Sequence, residues 1–190
     1  MAVRCRCTSA PFRSSAGPRR SSIRAGTRCA GTERRMITLR HARSADLDAV
    51  MEIMNTAFDP RYGEAWTHSQ CAGILPMAGV RLVLAQEGET SQPCGFSLYR
   101  TIAGDSELLL LAVSSETQRR GIGRILLTEF INQSKKFGAG RVHLEVRDGN
   151  SAINLYRSAG FVPVGRRRKY YRGPDGEVND ALTFVLNVDI

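Results

Sequence analysis

The sequence predicts an α/β fold with a mixed sheet, carried on residues 36–190. Three observations point there. Leu108 to Val113 is an unbroken apolar run, the pattern of a strand buried on both faces. Gly121 to Phe137, which follows it, is amphipathic, with Ile122, Ile125, Leu126, Phe130 and Ile131 at helical spacing. Arg141 to Val146 then alternates strictly, with Val142, Leu144 and Val146 on one side and Arg141, His143 and Glu145 on the other. Strands alternating with helices in this order are the signature of a sheet covered by helices.

The remaining elements fit that frame. Met36 to His41 alternates and reads as a first strand. Ser44 is expected to cap a helix with Asp46 and Asp48 in its first turn and Leu47, Val50, Met51, Met54 and Phe58 at helical spacing. Asp59-Pro60 stops it, residues 62–66 read as a loop, and residues 67–75 as a second short helix. Residues 80–86 and 94–102 read as strands joined by the polar stretch 87–93 into a hairpin. Gly138 and Gly140 end the main helix, and Ser151 to Ala159 forms another that ends at Gly160. A strand begins at Phe161 to Val164, Gly173 to Gly176 turns the chain, and Ala181 to Val188 returns. The count is seven strands, on a body long enough to bury about two thirds of its surface.

The chain has 190 residues, 42 % apolar and 24 % charged, the balance of a globular protein with no apolar run long enough to span a bilayer. Its net charge of +9 suggests nucleic acid until the charge is located. Residues 1–35 hold nine arginines against one acid, whereas residues 36–190 hold 18 bases against 17 acids. The body therefore lacks the long-range field that tracks a phosphate backbone. The Arg- and Ser-rich head has no apolar periodicity and is read as disordered. It is either sequence upstream of a start at Met36 or an organelle targeting segment; it lacks the apolar stretch of a secretory signal. A cytoplasmic location is expected, with organelle import if the head is a transit segment. Cys5, Cys7, Cys29, Cys71 and Cys94 form no metal-binding or disulfide pattern, and His41, His68 and His143 are scattered, so no metal is expected.

The informative stretch is Gln118-Arg119-Arg120-Gly121-Ile122-Gly123, between the buried strand and the amphipathic helix. Free backbone N–H groups at a helix N-terminus, glycines that let a ligand approach, and the helix dipole together suit an anion, a pyrophosphate above all. A dinucleotide fingerprint would need glycine where Leu126 stands, and no G-K-[ST] follows for a P-loop.

That loop resembles the acetyl-CoA pyrophosphate loop of the GNAT N-acetyltransferase superfamily. Leu155-Tyr156-Arg157-Ser158-Ala159-Gly160-Phe161 resembles the superfamily's L-Y-x-x-x-G-F segment. Four further features are similar to the bacterial ribosomal-protein alanine N-acetyltransferases: Gly63-Glu64-Ala65-Trp66, Leu144-Glu145-Val146-Arg147, Arg167-Arg168-Lys169-Tyr170-Tyr171, and Asp175-Gly176 followed by Asp180-Ala181. The resemblance covers residues 36–190. It implies a sheet of about seven strands with helices on both faces and a V-shaped splay between the fourth and fifth strands. It also implies that acetyl-CoA binds through Gln118, Arg119, Arg120, Gly121, Ile122 and Gly123, with its pantetheine arm on the backbone of Leu111, Ala112 and Val113. Glu145 takes the general-base place and Tyr156 the general-acid place, while Trp66 and Tyr171 lie in loops beside the acceptor groove. The family's N-x-x-A-I-x-L-Y segment is one residue short here. Aligned from the left, Asn150 takes the place of the Asn that contacts pantetheine; aligned from the right, Gly149 does. One extra residue also separates Gly176 from Asp180.

The implied reaction is acetyl transfer to a protein N-terminal α-amine, with the N-terminal alanine of a small-subunit ribosomal protein as acceptor. The alternative acceptor is a small-molecule amine or a lysine side chain. The expected partners are acetyl-CoA and the acceptor protein, without direct nucleic-acid or membrane contact, and the expected state is a monomer or weak dimer. A ribosome-binding module using the head and an acetyl-CoA sensor without turnover are the readings from other classes; the near-neutral body and the intact Glu145 and Tyr156 weigh against them.

Overall fold

The computed structural model describes residues 4–5, 36–88 and 92–188. The two-residue strand β1 (Arg4–Cys5) is followed by β2 (Ile37–His41), α1 (Leu47–Ala57), α2 (His68–Ile74), β3 (Val80–Glu87), β4 (Pro93–Ile102) and β5 (Asp105–Val113). Then come α3 (Ile122–Lys136), β6 (Arg141–Arg147), α4 (Ile153–Ser158), β7 (Val162–Arg172) and β8 (Val178–Asn187). The seven strands of the body form one mixed sheet in the order β2-β3-β4-β5-β6-β8-β7. The α/β class, the seven strands and the 80s–90s hairpin are as the sequence predicts. No helix among the described residues is long and apolar enough to cross a membrane.

Two cores sandwich the sheet. On one face α1 and α2 bury Leu47, Val50, Ile53, Met54 and Ile74 against Leu84, Phe96, Leu109 and Ala112. On the other, α3 and α4 bury Leu126, Phe130 and Tyr156 against Leu108, Leu111, Val142, Leu144 and Val146. The run Leu108 to Val113 feeds both cores, which is why it carries no polar residue. Cys71 and Cys94 are buried free thiols, and burial pushes the Cys71 thiol up to about 11.

The start of α1 differs from expectation. Ser44 is the first residue of a 3-10 turn (Ser44–Asp46), not the cap. Asp46 is the residue before α1, and its side chain reaches back to hold the 3-10 turn: its Oδ2 accepts the Arg43 N–H at 2.8 Å and its Oδ1 the Arg40 guanidinium at 2.7 Å. A carboxylate with a cationic donor is a stronger acceptor than a hydroxyl. Thr67 and Gln70 form a reciprocal capping box that opens α2.

The centre of the sheet opens. β5 and β6, the fourth and fifth strands of the body, run parallel and pair from Asp105↔Arg141 to Leu108↔Leu144, and no further. The cause is visible in β5. Its pairing with β4 passes from Leu98↔Leu110 to Tyr99↔Leu108, so Leu109 is an extra residue, and a bulge bends the strand away. On the far side, β6 stays fully paired with β8 from Arg141 to Arg147. The splay implied by the family resemblance is therefore present. Arg4–Cys5, within a head read as carrying no regular element, runs parallel to β5 along the opened edge, Arg4 opposite Leu110 and Cys5 opposite Leu111. The rest of the head lies outside the described residues.

Candidate active site

The opened edge of β5 runs from Leu109 to Val113 and leads into the Gly-rich loop. The Gln118 side chain donates to the Val113 carbonyl at 3.0 Å and ties the loop to the strand end. Arg119 (φ 68°) and Gly121 (φ 87°) both take left-handed backbone, which turns the chain sharply into α3. The first bonds of that helix run from Arg124 N–H and Ile125 N–H to the Gly121 carbonyl, at 3.0 and 3.1 Å. The amides of Gly121, Ile122 and Gly123 therefore have no acceptor inside the helix. A Cβ on Gly121 would meet nothing within 4 Å, so the chain is open to its surroundings at that residue. Arg120 is already engaged, paired with Glu87 at 3.0 Å and donating to the Glu116 carbonyl at 3.2 Å.

These features fit acetyl-CoA. An extended pantetheine arm needs a strand edge that β6 does not occupy. The seating of Arg4–Cys5 on Leu110 and Leu111 shows that this edge accepts an extended partner. A pyrophosphate needs free amides at a helix N-terminus, which the loop supplies.

Glu145 lies one residue beyond the last β5–β6 pair, on the sheet face opposite Val142, Leu144 and Val146. It is 4 % exposed. The Arg167 Nε lies 3.0 Å from its Oε1, and the Thr183 hydroxyl donates to the same oxygen at 3.4 Å. Its Oε2 is buried with no hydrogen-bond partner among the described residues. Tyr156 stands on the opposite side of the sheet, fully buried, with the Phe161 and Phe184 ring centroids 6.0 and 6.5 Å away. The splay thus passes between a carboxylate on one face and a phenol on the other.

A second carboxylate is buried between the loop after α1 and β6. Glu64, fully buried, lies 3.3 Å from the Nε of Arg147, whose guanidinium stacks 3.6 Å from the Tyr62 ring. The loop carrying Glu64 rests directly on β7: a Cβ on Gly63 would come within 2.3 Å of the Arg172 carbonyl. Asn150 is drawn into this cluster. Its Nδ2 donates to Glu64 at 3.5 Å and its Oδ1 accepts the Ala152 N–H at 2.9 Å, so its side chain braces the turn into α4.

The two aromatic candidates are both buried. Trp66 is in a loop, as expected, with its ring in the α1–α2 core. Tyr171 is not in a loop. It is a residue of β7, 1 % exposed, packed edge-to-face on Tyr170. The strand continues through the basic run because β7 is the sheet's edge and residues 162–169 are exposed on both of its faces, so no apolar alternation is required there. Sequence reasoning passed over Glu64, Arg147, Arg167 and Thr183 as site residues; Glu64, Arg147 and Arg167 lie inside the quoted motifs and Thr183 outside them. Among the described residues no three or more His, Cys, Asp or Glu gather as metal ligands.

The comparisons with known proteins follow the same outline. The sequence matches the Acetyltransferase (GNAT) family over residues 47–161. The chain belongs to the GNAT acetyltransferase family. This acetyltransferase is 30 % identical over 156 residues to the ribosomal protein bS18-alanine N-acetyltransferase of Escherichia coli (strain K12), covering 82 % of this chain and 100 % of that protein. It is 46 % identical over 76 residues to the N-alpha-acetyltransferase RimI of Mycobacterium tuberculosis, 40 % of this chain and 46 % of that one. The crystal structure of the ribosomal-protein-S18-alanine N-acetyltransferase from Escherichia coli superposes with a TM-score of 0.71 at 28 % identity, over 82 % of this acetyltransferase and 96 % of that chain. A putative acetyltransferase from Salmonella typhimurium, solved with its cofactor acetyl-CoA, shares the fold at TM-score 0.67 and 20 % identity, over 82 % and 95 % of the two chains.

Proposed function

We propose that this acetyltransferase moves an acetyl group from acetyl-CoA to the α-amine of a protein N-terminus, the acceptor being an alanine-starting ribosomal protein. One observation carries the transferase chemistry: the parallel pairing stops at Leu108 and Leu144, and the gap beyond is bordered by the α3 N-terminus and Glu145. The names of the relatives support the acceptor.

Acetyl-CoA supplies the thioester and its leaving thiolate. The amides of Gly121, Ile122 and Gly123 hold the pyrophosphate, and the backbone of Leu111, Ala112 and Val113 aligns the arm. Glu145 receives the amine proton at Oε2, directly or through one water. The Tyr156 hydroxyl returns a proton to the departing sulfur. Trp66 and Tyr171 shape the acceptor groove from behind its surface. The demand on the base is modest. An α-amine with pKa near 8 is roughly one-tenth neutral at pH 7, against a few molecules per ten thousand for a lysine near 10.4.

The test is intact-mass measurement of alanine-starting peptides incubated with acetyl-CoA. One acetyl per chain, at the α-amine, is expected. Acetyl found only on lysine side chains, or only on small amines, would overturn the acceptor assignment.

Two variants probe the parts. A Cβ at Gly123 would lie 3.5 Å from Leu155 and 3.8 Å from Val113, ordinary contact distances, so Gly123→Asp leaves the fold in place. The substitution sets a negative charge in the first turn of α3, beside the amides that would hold the pyrophosphate, and calorimetry is expected to show acetyl-CoA affinity falling at least about tenfold. Unchanged affinity would remove the loop from cofactor binding. Tyr156→Phe keeps the ring among Phe161 and Phe184. If the hydroxyl protonates the thiolate, kcat falls while acetyl-CoA affinity holds. A fully active Phe variant would leave Tyr156 as a core residue only.

A further inference from the structure

We propose that Arg167 is a positioning residue for Glu145: from the edge strand it fixes one carboxylate oxygen, so that the other is presented to the acceptor amine. The inference rests on the reading of Glu145 as the base.

The sheet register shows how unusual the contact is. Arg167 pairs with Ala181, and Ala181 with Arg147; in the neighbouring row Gly165 pairs with Thr183, and Thr183 with Glu145. With strands about 4.8 Å apart, Arg167 must cross the whole width of β8 and one row to reach Glu145. The residues beneath it permit that. Ala181 is small and fully buried, and Gly165 puts no side chain in the row of Thr183 and Glu145. The Arg167 side chain is 56 % exposed, a position from which a guanidinium is ordinarily left to water. Here its Nε lies 3.0 Å from the buried Oε1.

The backbone is built to aim it. The β7–β8 register breaks immediately after Arg167 and resumes at Tyr171. Lys169 takes left-handed backbone, φ 54°. Asp180 pins this bulge, with its Oδ1 accepting the Lys169 N–H at 2.8 Å and its Oδ2 the Arg166 guanidinium at 3.1 Å. Arg166 also pairs with Asp148 at the end of β6. Arg166 is thus committed outward, and Arg167 alone of the basic run turns to the carboxylate. A bulge that re-aims one side chain beside a site is a recurrent use of this irregularity.

The chemical consequence is an asymmetric carboxylate. Arg167 and Thr183 both engage Oε1, and Oε2 is left without a hydrogen-bond partner among the described residues. A buried carboxylate free to rotate would present either oxygen, or neither, to an amine held by the thioester. Fixing one oxygen converts that search into a single orientation.

The test compares wild type, R167M, R167K, E145Q and the R167M/E145Q double variant. The measurements are acetyl transfer to one alanine-starting peptide, melting temperature, and the carbon-13 resonance of the Glu145 carboxyl, assigned by its absence in E145Q. R167M is expected to lower kcat roughly tenfold, leaving the melting temperature and the KM for acetyl-CoA unchanged. R167K recovers part of the loss. In the E145Q background R167M costs nothing further, and the carboxyl resonance moves in R167M alone. A fully active R167M, an equal fold-loss in both backgrounds, or an unmoved resonance overturns the proposal while leaving Glu145 as base. An E145Q variant with wild-type turnover removes the base assignment, and this role with it.

Discussion

Glu145→Gln is expected to lower kcat by roughly 10² to 10⁴ near pH 7, the usual weight of general-base catalysis. The substitution keeps the shape of a side chain that is 4 % exposed, so packing is conserved and the loss reads chemistry. The amide left at this position cannot accept a proton from an ammonium group. The deficit shrinks as pH passes the amine's own pKa near 8, because the acceptor then arrives neutral and needs no base. A pH–rate profile on one alanine-starting peptide measures this directly. A deficit of the same size at pH 7 and pH 9 would take Glu145 out of proton transfer.

Arg147→Met is expected to show the largest loss of stability. Glu64 is fully buried, and the Arg147 guanidinium 3.3 Å away is the cation that compensates it. Removing the cation of a buried ion pair costs about 3–5 kcal/mol, because the desolvation penalty of the remaining carboxylate is no longer offset by that cation. In a chain of this size each kcal/mol moves the melting temperature by roughly 2–4 °C. A fall of about 6 to 20 °C follows. The double variant Glu64→Leu with Arg147→Met removes both charges and is expected to recover most of that fall, since apolar replacement of a whole pair is often neutral. A single variant that melts with the wild type would show that the pair carries no stability.

How far the sequence speaks for itself differs between elements. Leu108 to Val113 and Arg141 to Val146 were legible because their burial patterns are local: one strand covered on both faces, one on a single face. The start of β5 at Asp105 was not. Its first residues are polar, and what holds them in the sheet is distant in sequence: Arg141 on Asp105 at 2.7 Å, and Ser134 on Ser106 at 2.8 Å. Tyr171 lies in a strand and not in the expected loop for the related reason that an exposed edge strand need not alternate. Within the site, Glu145 and Tyr156 could be singled out by their resemblance to family motifs. Arg167 and Thr183 could not, because a third strand, β8, running antiparallel between β6 and β7, decides that they meet Glu145. Asn150 shows the reverse case. A motif position was readable, yet the side chain is spent on Glu64 and on the turn into α4.

The bulge at Leu109 also divides the molecule mechanically. Only the four rows from Asp105↔Arg141 to Leu108↔Leu144 join the β2–β5 half of the sheet to the β6–β8 half. They act as a pivot at the closed end of a wedge. Leu109 to Val113, about 16 Å at a strand's rise per residue, diverges from β6 beyond that point. Over that length, rotating one half by about 5° moves the open end by roughly 1.4 Å. The distance from Glu145 to the pivot hardly changes in that motion, whereas the mouth at Val113 widens or narrows. The fold therefore sets the widest part of the wedge at Val113 and keeps Glu145 beside its closed end.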